Sequence, residues 1–360
     1  MKILIIGAGP IGCYLAHLLK QKDKAINISV IEEHPSSGQP LHCTGLVSES
    51  LFSKTRFNLP HDAVVNHIDG AQFHLNGDFF LIKKKNVAIV LDRRMFDYLL
   101  SQNIEVIYNN RFLGLERTKN KYIVLTEKGD FTADIIVGAD GANSSVRKII
   151  DNGQNIKYYY GAQARIKTSG TKQHFVQVFM KKPYFAWLVP ETEEIVRVGL
   201  IGQNPHSELL RFIKETKIEG QILEKFGGIL PLGNCLTQKD NIALVGDAAC
   251  QIKPLTHGGL YYGMRCAEIL CDCIITNRLN LYERYWREKF GHDIEVGLKI
   301  KHLYEELDDE SLLKVFKLLK NNRAVLERFA DFDRHSDIIL RLVRLQGVQK
   351  ILGRLLFKFI

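Results

Sequence analysis

Three stretches of the chain carry residues whose types and spacing could do chemistry. The first is Gly7-Ala-Gly9-Pro-Ile-Gly12, with an apolar run at 2–6 before it and an apolar periodicity over about 11–21 after it. That order reads as a buried parallel strand, a turn and a helix. Gly7 permits the tight turn, Gly9 lets a phosphate approach the backbone at the helix N-terminus, and Gly12 lets the helix pack close on the strand. A second strand over 27–31 ends in Glu32, 20 residues beyond Gly12, where a carboxylate can accept a hydrogen bond from a ribose hydroxyl; Glu33 is a neighbouring candidate. The glycines alone are a weak signal, but strand, turn, helix, strand and acid in register predict a bound dinucleotide. The same opening mimics a secretion signal with Lys2 and Cys13. Gly7, Gly9, Pro10 and Gly12 break its apolar run, however, and no small-x-small cleavage site follows before Lys20.

The second stretch, 134–147, reads Asp-Ile-Ile-Val-Gly-Ala-Asp140-Gly141-Ala-Asn-Ser-Ser-Val-Arg147, a buried strand running into a turn and a short helix. The third, 242–263, reads Ile-Ala-Leu-Val-Gly-Asp247-Ala-Ala and then Pro254-Leu-Thr-His-Gly258-Gly259-Leu260, opening a long helix. Asp247 could accept a hydrogen bond from a polyol chain, and the free N–H groups at Gly258 and Gly259 could meet partial negative charge on a ring carbonyl.

In this order, GAGPIG, Glu32, Leu-Asp92-Arg93-Arg-Met-Phe-Asp97, GADGANSSVR and GDAA with its Pro254 and glycine pair span most of residues 1–290. The sequence here resembles the large family of FAD-dependent oxidoreductases with the aromatic-hydroxylase type of fold. The resemblance implies FAD as the cofactor, Arg93 lying over it, Asp140 and Gly141 near it, Asp247 on the ribityl chain, and Gly258, Gly259 and Leu260 on the flavin ring, with Pro254 in the same motif. Without the family, Arg93 and Asp97 read as an ion pair across one turn of an exposed helix.

Two further segments resemble the geranylgeranyl reductase branch, which saturates the double bonds of isoprenoid chains, including those of archaeal-type membrane lipids. His42-Cys43-Thr44-Gly45-Leu-Val-Ser48 stands where that branch has a Cys and Gly loop over the flavin. Phe185-Ala-Trp187-Leu-Val189-Pro190, followed by Gly199, is similar to its aromatic-x-Trp-x-Phe-Pro signature. Phe185 replaces a Tyr, Val189 replaces a Phe, and His257 interrupts a run of glycines. The resemblance implies Cys43, Thr44 and Gly45 at the cofactor and Phe185, Trp187 and Pro190 at the substrate. Reduction of an unactivated alkene needs a hydride on one carbon and a proton on the other. Cys43 is the candidate for proton delivery or gating, because a thiol is an acid small enough to sit against the ring; equally, it reads as a small buried thiol filling space. His42, His257 and Tyr261 are reserves. No second GxGxxG occurs, so the expected donor, NADPH or a redox protein such as ferredoxin, binds transiently.

The elements that must position these residues follow from the same pattern. The fold class is α/β: a Rossmann-type FAD-binding domain over 1–56, 87–154 and 234–295, an inserted antiparallel β-sheet substrate domain over 57–86 and 155–233, and a C-terminal helical segment over 296–360. Residues 157–168, 173–180, 184–190 and 194–201 are β-rich, and their Phe175, Phe179, Tyr184, Phe185 and Trp187 either wall an apolar substrate or fill the core.

Composition excludes several classes. A chain of 360 residues with 46% hydrophobic and 25% charged residues has ample material for a core and is far from a disordered composition. Its seven cysteines show neither CxxC spacing nor a disulfide framework, so a reducing, cytoplasmic compartment is expected and no metal site. The net charge is +9, yet 311–360 hold 11 Lys and Arg against 4 Asp and Glu. In that tail Ile338, Leu342, Leu345, Leu352, Leu356 and Ile360 share one helical face, opposite Arg344, Lys350, Arg354 and Lys358. A basic amphipathic helix either lies on an anionic membrane, which would make the protein peripheral on the inner face of the cell membrane, or packs on the body with a solvated face. Nucleic acid is not an expected partner.

The leading expectation is therefore an FAD-dependent reductase of geranylgeranyl or other isoprenoid chains, its substrate a membrane lipid or polyprenyl precursor. The alternatives are an FAD-dependent monooxygenase of an aromatic or polyene, which shares the flavin motifs, and a prenyl-binding protein without activity.

Overall fold

The protein, as a computed structural model, is described over residues 1–336 and 338, apart from 120, 172, 173 and 183. The expected strand–turn–helix unit is present as Lys2–Ile6 and Pro10–Lys22. The strand is buried on both faces, Ile3 and Ile5 joining the larger core and Leu4 and Ile6 a second one, as befits the middle of a parallel sheet covered on both sides. That sheet runs Gln238–Lys239, Ile242–Leu244, Ile135–Gly138, Lys2–Ile6, Asn27–Ile31, Val106–Ile107, parallel except at its first edge. The helices Pro10–Lys22 and Leu260–Ile275 pack against each other on one face. A small antiparallel sheet of Phe112–Arg117, Tyr122–Thr126 and Phe131–Ala133 closes the other.

The second large sheet has eight strands, in the order Gln221–Gly233, Ile156–Lys167, Ile195–Gly202, Tyr184–Pro190, Val176–Lys181, Val64–Leu75, Asp78–Leu91, Leu46–Ser48. It is antiparallel apart from one parallel pairing, Val176–Lys181 with Val64–Leu75. Two of its members cross the boundaries drawn from sequence. Leu46–Ser48 and the end of Asp78–Leu91, both assigned to the flavin domain, are one continuous part of this sheet.

The strand period of two decides which of the aromatics read as either wall or core take each place. Trp187 and Phe185 face the helices of the C-terminal region, whereas Phe179 points the other way, stacked on His74 at 4.5 Å and edge-on to Phe212 of the helix Pro205–Glu215. The C-terminal region is helical over His292–Glu306, Asp309–Asn321 and Arg323–Phe329, but not throughout as expected: Asp308 caps its helix by accepting from the Ser311 N–H at 2.7 Å, and residues 330–335 are irregular. The basic amphipathic tail falls almost wholly outside the described residues. Among the described ones, no helix is long and apolar enough to cross a membrane.

Candidate active site

The glycine turn behaves as its residue types require. A Cβ on Gly12 would lie 2.1 Å from the Gly7 carbonyl oxygen, and Gly7 has a φ of +104°, so backbone contact and conformation hold both positions as glycine. A Cβ on Gly9 would meet nothing within 4 Å, because that position opens on a cavity. The helix Pro10–Lys22 starts from Gly9 without a side-chain cap, and Leu260–Ile275 starts the same way from Gly259. Both present uncapped N–H groups to whatever fills the space.

The cavity, about 1550 Å³, joins these two helix ends to one face of the eight-stranded sheet. It exceeds the roughly 300–1,000 Å³ of a pocket for one drug-sized ligand, leaving room for a dinucleotide and a second molecule. Gly7, Gly9, Glu32, Arg93, Asp140, Gly141 and Asp247 line one part, with Gly258, Gly259 and Leu260. Cys43, Thr44, Phe185 and Trp187 line its continuation.

Four residues expected at the site lie off the cavity, each for a backbone reason. Gly12 seats the helix on the turn. Gly45, at φ +78°, lets its loop cross Leu91, whose carbonyl oxygen would be 2.3 Å from a Cβ. Pro254 packs against Gly297 in the helix His292–Glu306, and Pro190 ends its strand, its carbonyl accepting from Asn66 Nδ2 at 2.9 Å.

Glu32 keeps little free acceptor capacity. One carboxylate oxygen takes the Ala8 N–H at 2.8 Å and the other the His34 N–H at 3.0 Å. Asp140 caps the helix Ser145–Ile150, accepting from Ser144 Oγ at 2.6 Å and the N–H of Ser145 at 2.7 Å; burial nonetheless raises its pKa. Asp247 differs. Burial pushes its carboxyl up against the opposing influence of Arg93, Arg147 and His42, and among the described residues no hydrogen bond to the carboxylate offsets it. Arg93 and Asp97 do form the ion pair, at 2.9 Å, but buried in the wall rather than on an exposed helix. Burial opposes the charge on Arg93, yet the Asp97 carboxylate beside it holds the guanidinium cationic.

A half-buried carboxylate facing the cavity, two uncapped helix ends and an open glycine position fit FAD: hydroxyls for Asp247, phosphates for the turn and a ring for the second helix.

Sequence reasoning missed the residues that hold these groups in place. Arg147, 1% exposed, donates to the carbonyls of Asp247 at 3.3 Å, Ala248 at 2.8 Å and Ala142 at 2.5 Å, tying two flavin motifs together. Arg197, held by Glu191 at 2.8 Å, donates to the Thr44 carbonyl at 2.5 Å and the Leu91 carbonyl at 2.8 Å. Gln163 accepts from Thr44 Oγ1. A charged residue inside an apolar strand, as Arg197 is, was the available signal. His257, a reserve from sequence, lies in the wall with φ +59°, stacked on Phe185 at 5.7 Å. Among the described residues neither of its ring nitrogens has a partner, nor has Trp187 Nε1, and burial drives the imidazole pKa well down.

No family model matches the chain. It is 32% identical, over an alignment of 374 residues, to an uncharacterised protein of Methanocaldococcus jannaschii, covering 95% of this chain and 94% of that one. It is 26% identical over 359 residues to the digeranylgeranylglycerophospholipid reductase of Methanothrix thermoacetophila, covering 89% and 91%. Among solved structures, a geranylgeranyl bacteriochlorophyll reductase-like protein from Thermoplasma acidophilum superposes with a TM-score of 0.83 at 19% identity, covering 98% of each chain.

Proposed function

The chain belongs to the geranylgeranyl reductase family of FAD-dependent oxidoreductases, and within it we propose that this protein saturates C=C bonds of an isoprenoid chain carried by a membrane lipid or its precursor. The observation that carries the reading is one cavity whose two ends differ in chemistry. At one end it is lined by the glycine turn and Asp247, at the other by the carbon surfaces of Trp187, Val178, Phe73 and Phe80. An apolar floor of that size has no use for a polar metabolite and suits a hydrocarbon.

Gly7, Gly9, Asp247, Gly258 and Gly259 would hold FAD, whose reduced form supplies the hydride equivalent. The chain's own residues do the rest. Burial by the C-terminal helices excludes water. Trp187 and Phe185 orient the alkene, and Cys43 Sγ delivers the proton for the second carbon. Each double bond thus gains one hydride and one proton. The electrons come from a transient external donor, and the basic C-terminus brings the site to an anionic lipid surface.

The test is anaerobic. Protein reconstituted with FAD and reduced with dithionite is given geranylgeranyl lipids, and products are weighed. A gain of two hydrogens per double bond is the expected result. Unchanged lipid would overturn the reductase reading, and oxygen uptake coupled to product in air would transfer the assignment to a monooxygenase.

A further inference from the structure

The floor of the cavity is ordered across the strands rather than along them. Gln163 pairs with Gly199, Gly199 with Trp187, Trp187 with Val178, Val178 with Phe73, and Phe73 with Phe80. All but Gly199 line the cavity. Gly199 is bare so that the indole can lie over it, for a Cβ there would be 2.5 Å from the Trp187 ring and 2.8 Å from Gln163 Cγ. Gln163 in turn holds the Cys43 loop through Thr44. The row therefore starts at the reacting end.

It ends in aromatic rings. Phe80 stacks on Phe73 at 5.2 Å with an interplanar angle of 14°, and Phe316 of the helix Asp309–Asn321 packs edge-on behind it, also at 5.2 Å. Phe80 is 4% exposed and Phe316 fully buried. Beyond them Lys320 bonds Asp78 at 2.6 and 2.8 Å, fastening the helix to the hairpin that follows Phe73.

Neighbouring strands are about 4.8 Å apart. An isoprene unit adds four chain bonds of about 1.5 Å, roughly 5 Å when extended. Strand spacing and isoprene repeat are therefore nearly commensurate. Three strand steps separate Trp187 from Phe80, about 14 Å, enough for three units beyond the one held at the indole. Resting on the reductase reading above, we infer that Phe80, stacked on Phe73 and backed by Phe316, is the stop that sets the longest isoprenoid the site accepts, at four units.

The test uses the FAD-loaded protein and a length series of linear isoprenoid alcohols with two, three, four and six units. Binding is followed by tryptophan emission and reduction of the same series by mass spectrometry. The native protein should bind the six-unit alcohol at least tenfold more weakly than the four-unit one. Phe80→Ala should bring the two within threefold of each other, and Val178→Phe, one strand step from the indole, should weaken the three- and four-unit alcohols tenfold while sparing the two-unit one. Should Phe80→Ala fail to fold, Phe80→Leu and Val178→Phe test the same stop. An identical length profile in the folded variants overturns the inference. Length-dependent binding without any reduction overturns the reductase reading and upholds the stop; reduction without length dependence does the reverse.

Discussion

Thr44 Oγ1 donates to Gln163 Oε1 at 2.5 Å, and the amide nitrogen of the same glutamine donates to the His42 carbonyl at 3.4 Å. One side chain on the sheet thus holds both neighbours of Cys43. The cysteine loop is positioned by the sheet that floors the cavity, and the two cannot shift independently. Arg197 strengthens the connection through the Thr44 carbonyl.

Replacing Gln163 by Leu should leave FAD bound but misplace the loop. Displacing a reacting group by about 1 Å can cost on the order of 100-fold in rate, so alkene turnover is expected to fall about 10- to 100-fold. Unfolding should be easier by about 1–3 kcal/mol, from the polar groups left unpaired. Flavin stoichiometry and single-turnover rates measure the two effects separately. Native turnover in the variant would show that the tether plays no part.

Cys43→Ser removes the thiol while keeping a small polar side chain. Flavin content should be unchanged and alkene reduction slowed, since a hydroxyl is a far poorer acid. Stopped-flow reoxidation of the reduced flavin by substrate is the measurement, and an unaltered rate removes Cys43 from the chemistry.

The last two glycines of the turn, Gly9 and Gly12, should separate folding from cofactor binding. Gly9→Ala adds a methyl that meets nothing in the protein but enters the cavity, so the fold should keep its melting temperature and lose FAD affinity. Gly12→Ala drives a methyl to 2.1 Å from a backbone oxygen and should destabilise the chain even without flavin. Thermal melts with and without FAD distinguish the two, and equal effects in both would contradict this division.

His335 should make stability depend on pH. Burial, with Lys253 close by, pushes its imidazole down to about 4. Between about 4 and 6.5 the unfolded chain therefore binds a proton that the native one refuses. Its contribution is fully present above about pH 6.5 and is lost on acidification, at up to about 1.4 kcal/mol per pH unit. The carboxyls of Asp97, Asp140 and Asp247, pushed up by desolvation, titrate with the opposite sign, so the native protein should be compared with His335→Gln by urea unfolding from pH 4.5 to 7.5. The difference between the two should shrink as pH falls; a constant difference would mean that His335 is not held neutral.

Much of the molecule was legible in the chain because its signals are local. A strand buried on both faces, a turn that only glycine can make and a helix with its apolar period each lie within a dozen residues, so Lys2–Ile6, Pro10–Lys22, Asn27–Ile31 and the Asp247 turn could be read directly. The family followed from the order of such motifs. Register, pairing order and facing could not be read in this way, because they depend on contacts between residues far apart. Which aromatics face the cavity was decided by the strand phase, which sends Trp187 inward and Phe179 outward. That Gln163 touches Thr44 across 119 residues, that Arg147 joins two motifs, and that Phe80 meets Phe316 were decided only when the sheets and helices packed. The chain by itself determined the family and where a dinucleotide can lie; the tertiary structure decided what stands around it, because packing alone brings those distant side chains together.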